Sequence, residues 1–315
     1  MIRNSIRSIR AVCNAPFLNK KEIYWKNRKD ENMKKNRIKW GIILVLIIAS
    51  LLLTVACAPK KDNSKLVIGV SPAPHAEIVK LIQDDLAKQG VTLEIREFND
   101  YKTPNIALSD GDIDANYFQH IPYFADENRV GKYNLEILCG VHIEPMGFYS
   151  KTLTSLDDIP DGAEIMIPND TTNEGRALLL LQDKGLITLK EGVVGGTATP
   201  HDIADNPKNL VFTELEAATI PQAYADADGA VINGNYAIEH GLNPMKDALA
   251  VEGTSSPYVN IVAVRNGDAA KEAFKKLAEV LQSDKVKEYI ESKYEGAVIP
   301  AFQSKEEADN LASQY

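Results

Sequence analysis

Five short segments of the sequence combine amide and aromatic side chains with turn-forming Gly, Pro or Asp. They are residues 98–101, 112–120, 168–176, 231–236 and 256–260. Three of them follow or connect predicted strands, and ligands of α/β proteins bind at the carboxyl ends of strands. These segments are therefore candidates for one binding site. Core aromatics flanked by turn residues are the alternative interpretation, above all for residues 112–120.

Arg176 has the clearest chemical requirement of these residues. It falls in the first turn of a helix predicted at residues 173–184, where the helix dipole disfavours a cation. The guanidinium therefore needs an anionic partner. A structural carboxylate and a ligand carboxylate both meet this need, and arginine can grip either one with two parallel hydrogen bonds.

The other reactive side chains show no catalytic or metal-binding pattern. The sequence contains no nucleophile elbow, P-loop, GxGxxG or HExxH motif. None of the five histidines lies four residues from another or in a cysteine-rich spacing, so we expect no metal site and no cofactor. We predict that the protein is not an enzyme, with His120 and Glu144 as the only candidates for acid–base chemistry in a cleft.

Residues 33–57 have the organisation of an export signal. Basic residues at 34–39 precede an uncharged run at 41–56, and small residues lie directly before Cys57. This arrangement resembles the lipobox of bacterial lipoproteins, in which the cysteine is lipidated and becomes the first mature residue, although Thr54 stands where Leu is usual. A transmembrane anchor is the alternative, but this run is short for a span of about 20 residues.

Removal of this leader would make the protein strongly acidic. Residues 1–57 hold 12 of the 35 Lys and Arg but only 3 of the 44 Asp and Glu, which leaves the rest of the chain with a net charge of −18. Nucleic acid, which is bound by basic patches, is therefore not an expected partner. Anionic lipid would repel such a body, so membrane attachment would depend on the acyl chains at Cys57.

Hydrophobic patterning predicts two α/β lobes. An apolar strand at 66–70, a helix with its apolar face at 78–86 and an alternating strand at 91–96 form a βαβ unit. The pattern begins again with a strand at 163–168. A late strand at 259–264 can return to the first sheet, which gives a hinge that the chain crosses twice and a ligand cleft between the lobes.

The expected domain organisation follows from these patterns. It comprises a misassigned or disordered extension at 1–32, a signal peptide at 33–57, a tether at 58–65, lobe 1 at 66–149, lobe 2 at 150–255, a return to lobe 1 at 256–302 and a polar tail at 303–315.

Five motifs carry a resemblance to a known family. In order, they read NDY, GDIDANYFQH, PNDTTNEGRALLLLQ, VINGNYA and SPYVN. Together they resemble the methionine-binding lipoproteins of bacterial ABC importers, the NlpA lipoprotein family, over residues 66–302. The resemblance implies a type II periplasmic-binding-protein fold, L-methionine in the cleft, a lipid anchor on the extracytoplasmic face of the cell membrane, and delivery to an ABC permease and its ATPase subunits.

The resemblance also implies a set of ligand-binding residues. Arg176 would hold the ligand carboxylate with Asn173 near it, and Asn233 and Asn260 would take the amino and carboxylate groups. The thioether would be enclosed by Tyr101, Tyr117, Phe118 and His120, because aromatic rings suit a polarizable sulfur. Glu144 is either a partner of the ligand ammonium group or part of a hinge salt bridge.

The residue types agree with such a ligand, but they leave alternatives open. One cation, several amides and an aromatic wall fit a zwitterion with an apolar side chain. Another apolar amino acid or a methionine-containing dipeptide would satisfy the same groups. A surface lipoprotein that acts through interactions and has no transport role would need no internal pocket.

We expect Cys57→Ser to abolish lipidation, because the thiol is the atom that would carry the acyl chain. The variant should incorporate no labelled palmitate and should be released from the membrane or retained as a precursor. A chain that begins at Met33 should be exported and labelled like the full chain. Equal labelling of Cys57→Ser and the wild type would contradict the anchor.

Overall fold

The computed structural model describes residues 64–315 except 194, 254 and 255, together with some helical residues between Trp25 and Gly41. The chain divides into two compact units, Met1–Lys61 and Asp62–Tyr315, and the fold below is that of the second unit. Cys57 and most of the predicted signal peptide lie outside the described residues. Of the helices that are described, none combines the length and the hydropathy of a membrane span.

Strands and helices are interspersed along this unit. The strands are β1 (Lys65–Val70), β2 (Thr92–Glu97), β3 (Ala115–His120), β4 (Leu135–Ile143), β5 (Gly147–Tyr149), β6 (Glu164–Pro168), β7 (Thr188–Leu189), β8 (Ile203–Asp205), β9 (Val211–Leu215), β10 (Gly229–Ile232), β11 (Ala250–Val251), β12 (Val259–Arg265) and β13 (Ile299–Gln303). The helices are α1 (Glu77–Lys88), α2 (Thr103–Asp110), α3 (Ile121–Gly131), α4 (Thr171–Asp183), α5 (Ile220–Ala223), α6 (Gly234–Glu239), α7 (Pro244–Asp247), α8 (Glu272–Leu281), α9 (Asp284–Tyr294) and α10 (Lys305–Ala312).

The first lobe is built on a six-stranded sheet in the order β13-β4-β12-β3-β1-β2. β2, β1 and β3 are parallel, whereas β12 and β4 run antiparallel to their neighbours. The apolar run at the start of the chain forms β1, whose Ile68 and Val70 are fully buried, as both faces of a central parallel strand require. Helices α1, α8 and α9 cover one face of this sheet with apolar stripes.

The second lobe is built on a five-stranded sheet in the order β11-β5-β10-β6-β9. β9, β6 and β10 are parallel, and β5 and β11 are antiparallel additions. Helix α4 packs on it through Leu178 and Leu181, which are fully buried. The two lobes therefore have separate sheets and separate apolar cores, which confirms the two-lobed α/β fold.

The chain crosses between the sheets from β4 to β5, at residues 144–146, and again from β11 to β12. β12 returns to the first sheet between β3 and β4, as the late apolar strand indicates. The second sheet already contains Gly147, so the change of lobe comes before residue 147 and not at 149. The short run 147–149 is too brief for periodicity to reveal which sheet it joins.

The polar segment expected as a tail is largely an ordered helix. Ser304 and Glu307 form a capping box at the start of α10. Ala308 is fully buried, and Leu311 and Ala312 pack against the apolar cluster of the first lobe. A few small apolar residues on one face are enough to attach a helix whose composition is mostly polar.

Candidate ligand-binding site

A narrow cavity lies between the two lobes where the carboxyl ends of the central strands meet. The first lobe contributes Tyr101, Phe118, Gln119, His120, Tyr123 and Asn260. The second lobe contributes Asn173, Arg176, Asn233, Gly234 and Asn235, and the first crossing segment contributes Glu144. The structure thus brings seven of the eight predicted ligand-binding residues around one cavity.

Tyr117 is the predicted residue that does not line this cavity. It is fully buried in the core of the first lobe, and its hydroxyl donates to Nδ1 of His142. Its ring packs edge-on against those of His75 and His142, at 4.6 and 5.4 Å between centroids. Phe118, Gln119 and His120, at the carboxyl end of β3, are the residues of this strand that line the cavity.

Local structure places the polar residues of the second lobe. The carboxylate of Asp170 accepts from the backbone N–H of Asn173 at 3.0 Å and caps α4. Asn173 and Arg176 are three residues apart and lie on one face of this helix. Gly234 begins α6 beside the crossing segment, where a Cβ atom would lie 2.7 Å from Cβ of Glu144.

Arg176 has a structural carboxylate partner, Glu252 on the second crossing segment. Its Nε donates to Oε1 of Glu252 at 3.0 Å, and its Nη2 donates to Oε2 at 2.6 Å and to the carbonyl oxygen of Glu144 at 2.8 Å. The guanidinium also stacks on Tyr258, 4.0 Å from the ring centroid. Burial opposes the charged form, but the Glu252 carboxylate outweighs it and raises the pKa of Arg176.

The fork of Arg176 is only partly used by these contacts. Within the part of the chain that the structure describes, Nη1 has no hydrogen-bond partner, and Arg176 lines the cavity. Arg176 can therefore pair with a structural carboxylate and with a ligand carboxylate at the same time. One edge of the guanidinium holds a protein carboxylate, and the remaining N–H groups are available to a ligand.

A chain of amide hydrogen bonds connects the two lobes through Asn173. Its Nδ2 donates to Asp170, which fixes the orientation of the amide, so Oδ1 accepts from Nδ2 of Asn233 at 2.8 Å. Nε2 of His120 donates to the same oxygen at 3.1 Å, and Nδ1 of His120 accepts from the backbone N–H of Tyr123. His120 is thus held as one neutral tautomer.

Two buried polar atoms at the cavity have no hydrogen-bond partner among the described residues. They are Oδ1 of Asn233, an acceptor, and Nδ2 of Asn235, a donor. Their amide orientations follow from their other contacts, because Asn233 donates to Asn173 and Asn235 accepts from the Tyr101 hydroxyl. Unpaired buried polar atoms are rare in folded proteins, so these two are candidates for contact with a polar ligand.

Aromatic rings form the apolar side of the cavity. Tyr101 lies 6.0 Å from Phe118 and 4.8 Å from Tyr236 between ring centroids. Tyr123 packs edge-on against Tyr101, and its hydroxyl donates to the Tyr101 carbonyl oxygen at 3.0 Å. This wall offers faces and edges to a side chain without charge.

Glu144 lies at the first crossing and joins the lobes. Its Oε1 accepts from Nε2 of His142 at 2.7 Å, and its Oε2 accepts from the backbone N–H of Asn235 at 3.0 Å. Burial raises the pKa of this carboxyl, whereas His75 and Arg176 oppose the shift. Glu144 is therefore part of a polar hinge cluster and also faces the cavity, so its two proposed roles are compatible.

His75, His142 and Glu144 bring three metal-ligand atoms within 4.8 Å of one another. Burial lowers the pKa of His142 to about 3 and that of His75 to about 4. Both nitrogens of His142 are engaged, one by Glu144 and one by Tyr117, and Nε2 of His75 donates to Oδ1 of Asn260 at 3.1 Å. A metal ion would have to replace these hydrogen bonds.

Sequence reasoning missed Tyr123 and Asn235, which line the cavity together with Gln119 and Gly234, and Glu252, which pairs with Arg176. Tyr123 lies one helical turn after His120, and Asn235 lies inside the motif VINGNYA, so both had a local signal. Glu252 had no such local signal, because acidic residues are common before irregular segments and nothing sets this one apart. Its role depends on the return of the chain across the hinge, which brings residues 176 and 252 together.

This fold and this cleft define the class of protein. Two α/β lobes, a hinge crossed twice and a cavity at the carboxyl ends of the strands are the features of a type II periplasmic binding protein, a solute-binding protein. The chain belongs to the NlpA lipoprotein family, whose model matches residues 66–302. The resemblance carried by the five motifs is confirmed.

Several relatives have names that describe their ligand. The methionine-binding lipoprotein MetQ of Bacillus subtilis is 44% identical over 265 residues, which are 82% of this chain and 96% of that protein. The D-methionine-binding lipoprotein MetQ of Escherichia coli is 41% identical over 256 residues, 80% of this chain and 94% of its own length.

Solved structures agree with this family assignment. A nutrient-binding protein from Burkholderia cenocepacia bound to methionine superimposes with a TM-score of 0.73 at 44% identity, over 75% of this chain and 100% of that one. Lipoprotein Tp32 of Treponema pallidum gives a TM-score of 0.73 at 38% identity, over 76% and 100% of the two chains.

We expect the buried His120 to make stability depend on pH in a defined direction. Burial, followed by the charge of Arg176, lowers its pKa from 6.5 to about 3, so only the unfolded chain takes up a proton between these values. The stability that this group contributes is complete above pH 6.5 and is lost as pH falls. Relative to His120→Gln, the wild type should lose up to about 1.4 kcal/mol of unfolding free energy per pH unit.

Denaturant unfolding of both proteins at pH 7, 6, 5 and 4 measures this difference. His201→Gln serves as a control because His201 is exposed in the second lobe. The His201→Gln series gives the pH dependence that follows from replacing an exposed histidine. A flat difference for His120→Gln would show that this histidine takes up its proton in the folded protein as well.

Proposed function

We propose that this protein is a lipid-anchored, extracytoplasmic solute-binding protein that binds L-methionine and delivers it to the permease of an ABC importer. One observation carries the ligand class. Around one cavity, the unused Nη1 of Arg176, the free acceptor of Asn233 and the free donor of Asn235 stand opposite an aromatic wall. A zwitterion with an apolar side chain complements each of these groups.

The carboxylate of the ligand would lie against Arg176. Its Nη1 offers two N–H groups, and Nδ2 of Asn235 offers another donor nearby in the same cavity. Asn260 gives its Oδ1 to His75, which leaves its Nδ2 as the group facing an anion. Charge-assisted hydrogen bonds to a guanidinium are the strongest of these contacts and would set the ligand's orientation.

The ammonium group and the side chain would occupy the remaining surfaces. Oδ1 of Asn233 is an unpaired acceptor, and the carboxylate of Glu144 lines the same cavity and adds negative charge. Tyr101, Phe118 and Tyr123 then surround the thioether, whose sulfur makes favourable contacts with ring edges. This aromatic wall offers no charged partner to the ligand side chain, which favours methionine over acidic or basic amino acids.

Ligand entry requires the lobes to separate. In this structure the cavity has room for roughly one water, so methionine would fit only with the lobes further apart. Hydrogen bonds from Tyr101 to Asn235 and from His120 to Asn173 join the lobes across it. We therefore infer that the two crossings act as a hinge, and that a ligand bridging both lobes stabilises a bound form, slightly wider than this structure, that a permease would receive.

Freshly purified protein should release methionine when it is denatured, as detected by mass spectrometry of the small molecules. Protein stripped of ligand should melt at a higher temperature in saturating L-methionine, because a ligand that binds only the folded form adds to its stability. Calorimetric titration against leucine, glutamate and a methionine-containing dipeptide ranks the alternatives. Absence of a methionine shift in stripped protein would contradict the proposed ligand.

We expect Arg176→Ala to weaken methionine binding by about two to four decades in Kd. The ligand carboxylate would lose its charged partner in a buried site, and loss of one partner of such a pair costs about 3–5 kcal/mol. Arg176→Lys should also bind poorly, since a point charge cannot replace the planar fork. Calorimetric titration measures the affinity, and melting curves without ligand measure the structural contribution.

Arg265→Ala is the matched control for this variant. Arg265 pairs with Asp114 at 3.0 Å in the first lobe and does not line the cavity. Its loss should lower the melting temperature and leave methionine affinity unchanged. If Arg176→Ala behaves like this control, then Arg176 serves Glu252 alone and the ligand carboxylate is bound elsewhere.

A further inference from the structure

Glu252 is placed to control the charge that Arg176 presents to the cavity. It follows β11 on the second crossing segment, and its carboxylate accepts from Nε and Nη2 of Arg176 at 3.0 and 2.6 Å. The pair is largely removed from solvent, with 4% of the Arg176 side chain and 16% of the Glu252 side chain exposed. In such surroundings, charges interact more strongly than they do in water.

The backbone also fixes Glu252. Its N–H donates to the carbonyl oxygen of Met146 at 2.9 Å, and its Oε2 accepts from the Met146 N–H at 3.4 Å. These contacts tie the second crossing to the first. The carboxylate therefore has one defined position, and it occupies the Nε and Nη2 edge of the guanidinium while Nη1 stays available to the cavity.

We propose that Glu252 determines the charge type of the ligand, by holding Arg176 in place and cancelling its charge so that the cleft selects a zwitterion. The inference rests on the proposed function and goes beyond it in assigning this specificity to a residue outside the cavity wall.

The charges around the cavity explain how this selection works. An unpaired guanidinium would attract any carboxylate and would repel the ammonium group of an amino acid. Paired with Glu252, it still donates hydrogen bonds to a carboxylate but adds little net charge. The acceptor of Asn233 and the carboxylate of Glu144 are then sufficient to favour the ammonium group.

Three ligands separate the contributions of the two charged groups. They are L-methionine, 4-(methylthio)butanoate, which lacks the ammonium group, and 3-(methylthio)propylamine, which lacks the carboxylate. Their Kd values are to be measured by calorimetry for the wild type, for Glu252→Gln and Glu252→Ala, and for Glu252→Asp. Glu279→Gln is the control, since it removes one negative charge from the exposed surface of the first lobe.

Both neutral variants should reduce the preference for methionine over 4-(methylthio)butanoate by about tenfold or more, because the exposed charge of Arg176 then favours the anion. Binding of 3-(methylthio)propylamine should weaken in the same variants. Glu252→Asp keeps the charge and should keep the preference, even where the shorter side chain lowers overall affinity. Glu279→Gln should match the wild type.

If a folded neutral variant kept the wild-type preference for methionine over 4-(methylthio)butanoate, the inference would be wrong. Glu252 would then only stabilise the hinge. The melting temperature would then fall while the ratio of the two Kd values stayed constant. Either neutral variant decides the matter if the other does not fold. Failure of the wild type to bind methionine would instead overturn the proposed function and this inference with it, so the two failures are distinguishable.

Discussion

The buried pair of Arg176 and Glu252 is the interaction on which the organisation of the cleft depends. A guanidinium placed near the start of α4 and shielded from water is costly unless an anion accompanies it. Glu252 provides that anion from the second crossing, and the Glu144 carbonyl oxygen on the first crossing accepts from the same side chain. One arginine thus connects the second lobe to both hinge segments and also lines the cavity.

The two lobes contribute different chemistry because different elements end at the cleft. Strand ends and the start of α3 bring aromatic rings from the first lobe, whereas the start of α4 and the segment before α6 bring amides and the arginine from the second. The start of α4 would attract an anion by itself. Asp170 already occupies it by accepting from the Asn173 N–H, so the proposed function assigns the ligand carboxylate to the Arg176 side chain.

Much of the fold and most of the site could be predicted from the sequence, since both are encoded locally. Periodicity gave β1, α1 and β2, and the turn-rich motifs that follow or connect strands indicated that Tyr101, Arg176 and Asn233 would belong to one site. Tyr117 was misplaced because its ring packs with His75 and His142 in the core of the first lobe, and these are contacts between distant segments that the motif does not reveal. Glu252 and the short strand β5 could not be found, because their roles depend on contacts between distant segments: residues 176 and 252 for the ion pair, and residues 147–149 and 229–232 for the strand pairing.

The contacts that close the cleft are suited to repeated opening. The direct bonds between lobes around the cavity are neutral hydrogen bonds such as Tyr101 to Asn235 and His120 to Asn173, and each contributes only about 0.5–1.5 kcal/mol net. The strong ion pair, by contrast, lies between the second lobe and the hinge, so separation of the lobes need not break it. A ligand that adds hydrogen bonds to Arg176, Asn233 and Asn235 therefore supplies the difference between open and closed forms. Opening without ligand breaks only weak contacts between the lobes, whereas a bound ligand adds contacts that favour closure. Capture and release of a solute require this small difference in free energy between the two forms.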